Sequence, residues 1–308
     1  MKLQLGPLGE FEDNFLISHI KGGLGNQMFK LAAAYKVSEV LNKKLLIDLN
    51  WYKNQGNNPK LDFREYELDF FTNIKSLSKF KFEELTVLEK YTYLKYKYLK
   101  KSQSMLNDQN YPKNLIFNFS TIRFINGNFE DLQFLPDEKT IKHLFQFSNR
   151  KNYAYKKMLT KTIDDNSVAI HIRLGDYANY PSIYNVLDVS YYTNSLEIAR
   201  SKLGKIQVSL FSDDPNSAMK FLEGKIQIDF IHRYDGSLKA PEVLELMSNH
   251  RAIVASNSTF SWWAGYLGYL NKTCQLVIIP SNYYSNLEIQ NNLKFEACVV
   301  VPSNSKLI

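Results

Sequence analysis

Short apolar runs alternate regularly with helical patterns in the second half of the chain. The apolar runs predict strands at 168–172, 206–211, 228–231, 252–255 and 276–279. The intervening segments predict helices at 190–202, 215–222, 241–247 and 260–270. Strands that alternate with helices of this length form a parallel sheet covered on both faces. Such sheets bind ligands at the carboxyl ends of their strands, so we expect the chemistry just after Ile172, Phe211 and Ala255.

The first half of the chain begins in the same way. Residues 15–20 predict a strand, 22–27 a glycine-rich loop, 28–41 a helix and 45–49 a second strand. A chain of 308 residues is long for one core, which favours two domains. The sequence therefore predicts an α/β protein with two Rossmann-like, doubly wound domains.

The domain boundaries follow from composition. The polar, lysine-rich stretch 148–166 is the expected junction, which gives domains at 1–150 and 160–308.

No run of 18 or more apolar residues occurs, so we expect no membrane-spanning helix. The first 14 residues lack the apolar core of a signal peptide, and two cysteines are too few for a disulfide framework or a cysteine-rich zinc site. We expect a cytoplasmic protein.

The formal charge of +7 points to an anionic partner. Nucleic acid, an anionic membrane surface and a diphosphate ligand would each account for it. The stretch 89–101 interleaves lysines with tyrosines, which fits a solvated surface helix, peripheral contact with the inner membrane face, or single-stranded nucleic acid. No recognisable nucleic-acid fold signature accompanies it, so nucleic acid is not an expected partner.

The glycine-rich loop after the first strand is the first candidate binding segment. Its residues Gly22, Gly23, Gly25, Asn26 and Gln27 lie where a strand passes into a helix. Glycines there allow the backbone to approach a ligand closely, next to the N–H groups of the helix. The spacing matches neither a dinucleotide fingerprint nor a Walker loop, and a purely structural turn is the alternative.

The segment 171–177 leaves the end of a predicted core strand. Alternation places His171 and Arg173 on the same side of that strand. An arginine at this position suits a diphosphate, because its fork binds phosphate oxygens in bidentate fashion. A structural pair between Arg173 and Asp176 is the alternative.

Two adjacent acids, Asp213 and Asp214, end the next strand. Consecutive side chains point apart, so the two carboxylates are not expected to share a metal ion. One of them is expected to cap the helix that begins at Pro215, and the other to accept hydrogen bonds from a base or a ribose. The chain contains no Asp-x-Asp triplet, which argues against a metal-clamped nucleotide-sugar site.

The last candidate segment, 257–263, opens a helix. Asn257, Ser258 and Thr259 are preferred N-cap types, and with the helix N–H groups they form an anion cradle. Trp262 and Trp263 would either pack in the core or stack on a sugar.

These four segments, at 22–29, 171–177, 211–214 and 257–263, resemble the motifs of the bacterial α-1,2-fucosyltransferases of glycosyltransferase family 11. The resemblance implies a GT-B fold, with two domains facing a cleft, and inverting transfer of L-fucose from GDP-fucose without a metal or other cofactor. It also implies a galactose-terminated acceptor, in a surface glycan such as O-antigen or in a lipid-linked oligosaccharide.

The resemblance also implies roles for single residues. Arg173 would hold the donor diphosphate, His171 and Asp213 the guanosine, and Ser258 and Thr259 the β-phosphate. The remaining residues of the last motif that would line the donor site are Asn257, Phe260 and Ser261. The glycine-rich loop would face them from the acceptor side, and Asp176 is our candidate for the general base.

Two departures from the family pattern bear on the substrate. Leu174 stands where many members carry a second arginine, and Ala252 where many carry a histidine. Two alternatives remain open from the sequence: a non-catalytic carbohydrate- or nucleotide-binding protein, and a GT-B transferase that uses another nucleotide sugar.

Overall fold

A computed structural model describes residues 15–53, 63–80, 90–91, 94, 105–108, 122–148, 153–174, 187–232, 237–283 and 292–303. By its contacts the chain divides into two compact units, with the boundary between Gln146 and Phe147. Unit 1 contains the described residues up to 146, and unit 2 contains those from 147 onward. Each unit has its own parallel sheet with accompanying helices, which confirms the predicted α/β class with two Rossmann-like domains.

The sheet of unit 1 has five parallel strands in the order β3-β2-β1-β5-β4. Their bounds are β1 Phe15–His19, β2 Lys44–Asp48, β3 Ser78–Phe80, β4 Met105–Leu106 and β5 Phe124–Ile125. The helices are α1 Leu24–Val40, α2 Asn50–Lys53 and α3 Glu138–Leu144, with 3₁₀ turns at Leu68–Phe70, Thr72–Ile74 and Leu132–Phe134. Because β5 rather than β4 pairs with β1, the order departs from the usual Rossmann series on that side.

Helix α1 begins four residues earlier than its sequence predicts. The prediction treated 22–27 as loop, but Gly25, Asn26 and Gln27 lie in the first turn of α1. Gly23 takes the N-cap position with extended backbone angles, and the buried Leu24 fixes the helix against the core. The apolar side chain of Leu24 thus outweighs the low helix propensity of the glycine beside it.

The sheet of unit 2 has six parallel strands in the order β11-β10-β9-β6-β7-β8. The strands are β6 Ser167–Ile172, β7 Gln207–Ser212, β8 Phe230–His232, β9 Ala252–Val254, β10 Leu276–Pro280 and β11 Cys298–Val301. In chain order within the unit this is 6-5-4-1-2-3, the Rossmann arrangement. The order reverses between β6 and β9, and that reversal marks the expected ligand crevice.

The helices of unit 2 are α4 Tyr153–Thr162, α5 Val189–Leu203, α6 Pro215–Leu222, α7 Ala240–Ser248 and α8 Thr259–Leu270. Local signals set several of their ends. Gly204 ends α5 with a φ of 76°, and Asp214 caps α6 ahead of Pro215. The central strand β6 is buried along its whole length, as expected for a strand covered on both faces. Among the described helices, none has the length and apolar content required to cross a membrane.

Candidate active site

The polar side chains of unit 2 gather where β6 and β9 end, at the reversal of strand order. His171 lies near the end of β6, and Ser256 follows β9. The two are 85 residues apart in the chain, yet His171 Nδ1 and Ser256 Oγ share a hydrogen bond of 2.7 Å. Both side chains are buried. The sequence prediction missed Ser256, although a small hydroxyl residue directly after a strand was a signal for it.

The His171 side chain is neutral at physiological pH. Burial lowers the pKa of His171 to about 4; the neighbouring Arg173 adds to the lowering, and Asp213 opposes it. The imidazole ring lies 5.8 Å from the ring of Phe260, at a tilt of 37°. Phe260 is half-buried, so this residue stays partly accessible beside the enclosed histidine.

Arg173 is held in place by Asp213, at the end of the adjacent strand. Arg173 Nη1 lies 3.2 Å from Asp213 Oδ2, and the two side chains are 16% and 20% exposed. The other carboxylate oxygen of Asp213 accepts a 3.1 Å hydrogen bond from the backbone N–H of Leu174. One carboxylate therefore orients the arginine and the chain that leaves β6, while both charged groups stay accessible to a ligand.

Asp214 has the capping role predicted for one of the two adjacent acids. Its Oδ1 accepts a 3.1 Å hydrogen bond from the backbone N–H of Ser217, in the first turn of α6. Its own N–H donates to Ser212 Oγ at 3.1 Å. Asp213 and Asp214 thus serve different purposes, as their adjacent positions indicated.

The loop from β9 to α8 brings a row of hydroxyl and amide side chains to the crevice. Ser258 is the N-cap of α8, where its Oγ accepts from the N–H of Phe260 at 3.3 Å. Ser261 is buried, and its Oγ donates to the carbonyls of Ser258 at 3.2 Å and Ser256 at 3.4 Å. Asn257 donates from Nδ2 to the carbonyl of Tyr283 at 2.9 Å.

These bonds divide the predicted donor-binding residues into two groups. The mostly enclosed side chains of His171, Asn257 and Ser261 hydrogen-bond to the protein and shape the loop. The accessible wall consists of Arg173, Asp213, Thr259 and Phe260, with Ser258 at its edge. Chemically, an oriented guanidinium after β6 and the N-terminus of a twelve-residue helix after β9 are each able to bind an anion.

Both tryptophans of the last motif pack in the core. Trp262 and Trp263 are fully buried, and their rings meet edge to face at 5.1 Å. Trp262 also donates from Nε1 to the carbonyl of Leu293 at 2.8 Å. The predicted core role therefore applies to both, and stacking on a sugar is not their function.

In unit 1, Gln27 ties the glycine-rich loop to a neighbouring segment. Its Nε2 donates to the carbonyls of Gly22 at 3.0 Å and Glu65 at 2.7 Å, and its Oε1 accepts from the N–H of Glu67 at 3.0 Å. Gly22 has a φ of 86°, the left-handed region that favours glycine. Gln27 thus positions the loop through backbone contacts, and Asn26 stays half-exposed beside Gly22.

A polar pair that the sequence did not predict lies at the carboxyl edge of the unit 1 sheet. His19 Nδ1 contacts the carboxylate of Asp48 across the ends of β1 and β2. Asp48 is buried and also accepts from the backbone N–H of Asn50 at 2.9 Å. Register pairs His19 with Asp48, which only the strand pairing reveals.

Asp176, our candidate for the general base, lies outside the described residues, as does most of the lysine- and tyrosine-rich stretch 89–101. Within the described part of the chain, no three or more of the His, Cys, Asp and Glu side chains come together in a group that could hold a metal.

Comparison with known proteins agrees with the motif resemblance. Two relatives from Escherichia coli match almost the whole chain. The "Alpha-1,2-colitosyltransferase" is 25% identical over 292 residues, which cover 92% of this chain and 97% of that protein. The "O-antigen biosynthesis glycosyltransferase WbnK" is 26% identical over 293 residues, which cover 88% and 95%.

Two solved structures also resemble this chain at low identity. The fucosyltransferase NodZ from Bradyrhizobium is 14% identical with a TM-score of 0.46, over 82% of this chain and 91% of that one. POFUT1 in complex with GDP-fucose is 13% identical with a TM-score of 0.47, over 86% and 95%. The model of the family described as "Glycosyl transferase family 11" matches residues 12–297. Since that match spans nearly all of the chain, the protein belongs to glycosyltransferase family 11.

Proposed function

We propose that this glycosyltransferase moves L-fucose from GDP-fucose to the 2-hydroxyl of a terminal galactose, with inversion and without a metal. The acceptor is an oligosaccharide of a surface glycan such as O-antigen, free or lipid-linked. Family membership supports glycosyl transfer. The observation that carries the donor assignment is the convergence of His171, Arg173, Asp213 and the 256–261 loop at the reversal of strand order in unit 2.

The donor site is suited to a nucleoside diphosphate. Arg173, oriented by Asp213, offers its guanidinium to the phosphate oxygens, and the α8 N-terminus adds the positive end of the helix dipole. Ser258 and Thr259 lie at that terminus. Phe260 offers a half-buried ring face, and Asp213 offers carboxylate oxygens to a base or a ribose. Leu174, in place of a second arginine, contributes its backbone N–H to holding Asp213.

The reaction is a single displacement. The bond between the anomeric carbon of fucose and the β-phosphate oxygen breaks, and a bond from the acceptor oxygen forms on the opposite face. Negative charge grows on the leaving GDP, where Arg173 and the helix donors stabilise it in place of a metal. The acceptor hydroxyl loses its proton to a general base, for which we propose Asp176.

Incubation with GDP-fucose and lactose tests the proposal. We expect release of GDP that depends on lactose and persists in EDTA, and a product whose NMR spectrum shows an α-1,2 linkage. Arg173→Ala should abolish turnover, and Asp176→Asn should lower kcat about 100-fold or more while GDP binding persists. Binding of GDP-fucose without acceptor-dependent turnover would favour a non-catalytic binding protein instead. Near-normal turnover of a folded Asp176→Asn variant would remove Asp176 from the mechanism.

A second candidate donor is GDP-colitose, because one relative is a colitosyltransferase. Colitose is fucose without its 3-hydroxyl, so the two donors present the same nucleotide to the crevice. Comparison of kcat/KM for GDP-fucose and GDP-colitose, with GDP-mannose as a control, distinguishes the two. A preference of tenfold or more corresponds to about 1.4 kcal/mol and would decide the donor.

A further inference from the structure

Gly23, next to Gly22, has no structural requirement for glycine among the described residues of unit 1. Its φ of −73° and ψ of 171° are values that any residue adopts. A methyl group built on Gly23 would have, apart from its chain neighbours, one described atom within 4 Å, Cδ of Arg64 at 4.0 Å. That is an ordinary contact. Backbone conformation therefore accounts for Gly22, whereas Gly23 leaves a face that is open among the described residues, with Arg64 beside it.

Arg64 is brought there by a segment that is firmly attached to the loop. We call residues 63–67 the strap. The three hydrogen bonds of Gln27 join the strap at Glu65 and Glu67 to the carbonyl of Gly22. Tyr66 of the strap packs against Tyr52 with ring centroids 6.0 Å apart, and the Tyr52 hydroxyl donates to the same Gly22 carbonyl at 3.3 Å. These contacts hold the strap, and with it Arg64, in position beside Gly23.

The side chains of the strap differ in exposure. Arg64, Tyr66 and Glu67 are half-buried, while Phe63 and Glu65 are exposed. Phe63 is 72% exposed, so its ring points to solvent. The loop itself follows β1, at the carboxyl edge of the sheet where parallel α/β folds bind ligands. Arg64 is the positively charged residue of the strap, which also carries Glu65 and Glu67, and it remains partly accessible at this edge.

We propose that Arg64 binds the acceptor sugar against the open face of Gly23. This inference rests on the proposed function, since it assigns a binding residue to the acceptor of the same reaction. A guanidinium presents several N–H donors in one plane, which matches the neighbouring hydroxyl oxygens of a neutral sugar ring. Gly23 lets that ring approach the backbone closely. The diphosphate, by contrast, has its own arginine and helix terminus in unit 2.

Four variants test the assignment in steady-state assays with lactose varied at saturating GDP-fucose. Arg64→Ala loses charged hydrogen bonds, so its KM for lactose should rise about 10- to 100-fold. Arg64→Lys should restore only part of the affinity for lactose, because lysine lacks the planar fork of the guanidinium. Gly23→Ala should also raise the KM for lactose while its urea midpoint stays at the wild-type value. Phe63 lies on the same strap but faces solvent, so Phe63→Ala should change neither the KM for lactose nor the urea midpoint. The thermal shift caused by GDP should be the same in all four.

Direct binding separates this inference from the proposed function. Saturation-transfer NMR with methyl β-galactoside reports acceptor binding without turnover, and we expect the signal of Arg64→Ala to fall well below wild type. If wild type turns over but Arg64→Ala keeps its KM for lactose, the Arg64 assignment is wrong and the transferase function stands. If wild type releases no GDP, the proposed transferase function is wrong. The Arg64 assignment is then wrong as well if wild type and Arg64→Ala bind the galactoside equally, or if wild type does not bind it.

Discussion

Replacing His171 with glutamine should make the free energy of unfolding less dependent on pH below about 6.5. In the folded protein burial lowers the pKa of His171 to about 4, while an unfolded histidine titrates near pH 6.5. Between these two values the unfolded chain binds the proton and the folded chain does not. The free energy of unfolding therefore rises with pH in this window, and it is lost as pH falls from about 6.5 towards 4.

The size of the effect follows from the same two values. Each pH unit within the window changes the free energy of unfolding by about 1.4 kcal/mol. Acidification from about pH 6.5 to about pH 5 should thus cost about 2 kcal/mol through His171 alone. His250 contributes a similar loss, because burial lowers its pKa to about 3. The glutamine variant keeps the His250 share and loses the His171 share.

Urea unfolding at about pH 7, 6 and 5 measures the difference. We expect wild type to lose about 2 kcal/mol more than His171→Gln over this range, while the absolute stability of the variant is lower because its contact with Ser256 has changed. His143→Gln is the matched control, since His143 is exposed on α3. If wild type and His171→Gln lose stability in parallel, the folded pKa of His171 is not lowered, and the idea of a buried neutral histidine at the crevice is wrong.

Three further substitutions give independent tests. Arg173→Lys replaces the fork with a point charge and should weaken GDP binding about tenfold by calorimetry; unchanged affinity would separate Arg173 from the diphosphate. Gly265→Ala places a methyl 2.6 Å from Cγ1 of Val277 and should lower the free energy of unfolding by about 1–3 kcal/mol, with partial recovery on adding Val277→Ala. Gly22→Ala should lower the free energy of unfolding by about 1–2 kcal/mol, because alanine is strained at a φ of 86°. A loss no greater than that of Gly23→Ala would show that alanine is not strained there.

The elements of unit 2 were largely predictable from the sequence. Apolar runs of strand length, separated by helices with recognisable ends, define β6 to β10 to within a few residues. Asp214 before Pro215 and Gly204 after α5 are local signals, because capping involves groups only a few residues apart. Unit 1 was less predictable at its first turn. The burial of Leu24 extends α1 back to a position where glycine content indicated a loop.

The residues that could bind an anionic ligand, and the strand ends at which they lie, were predictable from the sequence. Their partners were not, because they depend on how the strands pair. Asp213 orients Arg173 across 40 positions, and His171 meets Ser256 across 85. Arg64 lies over Gly23 because Gln27 attaches the strap to the loop. Local propensity acts over a few residues, whereas such pairings depend on strand order and register, which emerge when the whole sheet forms.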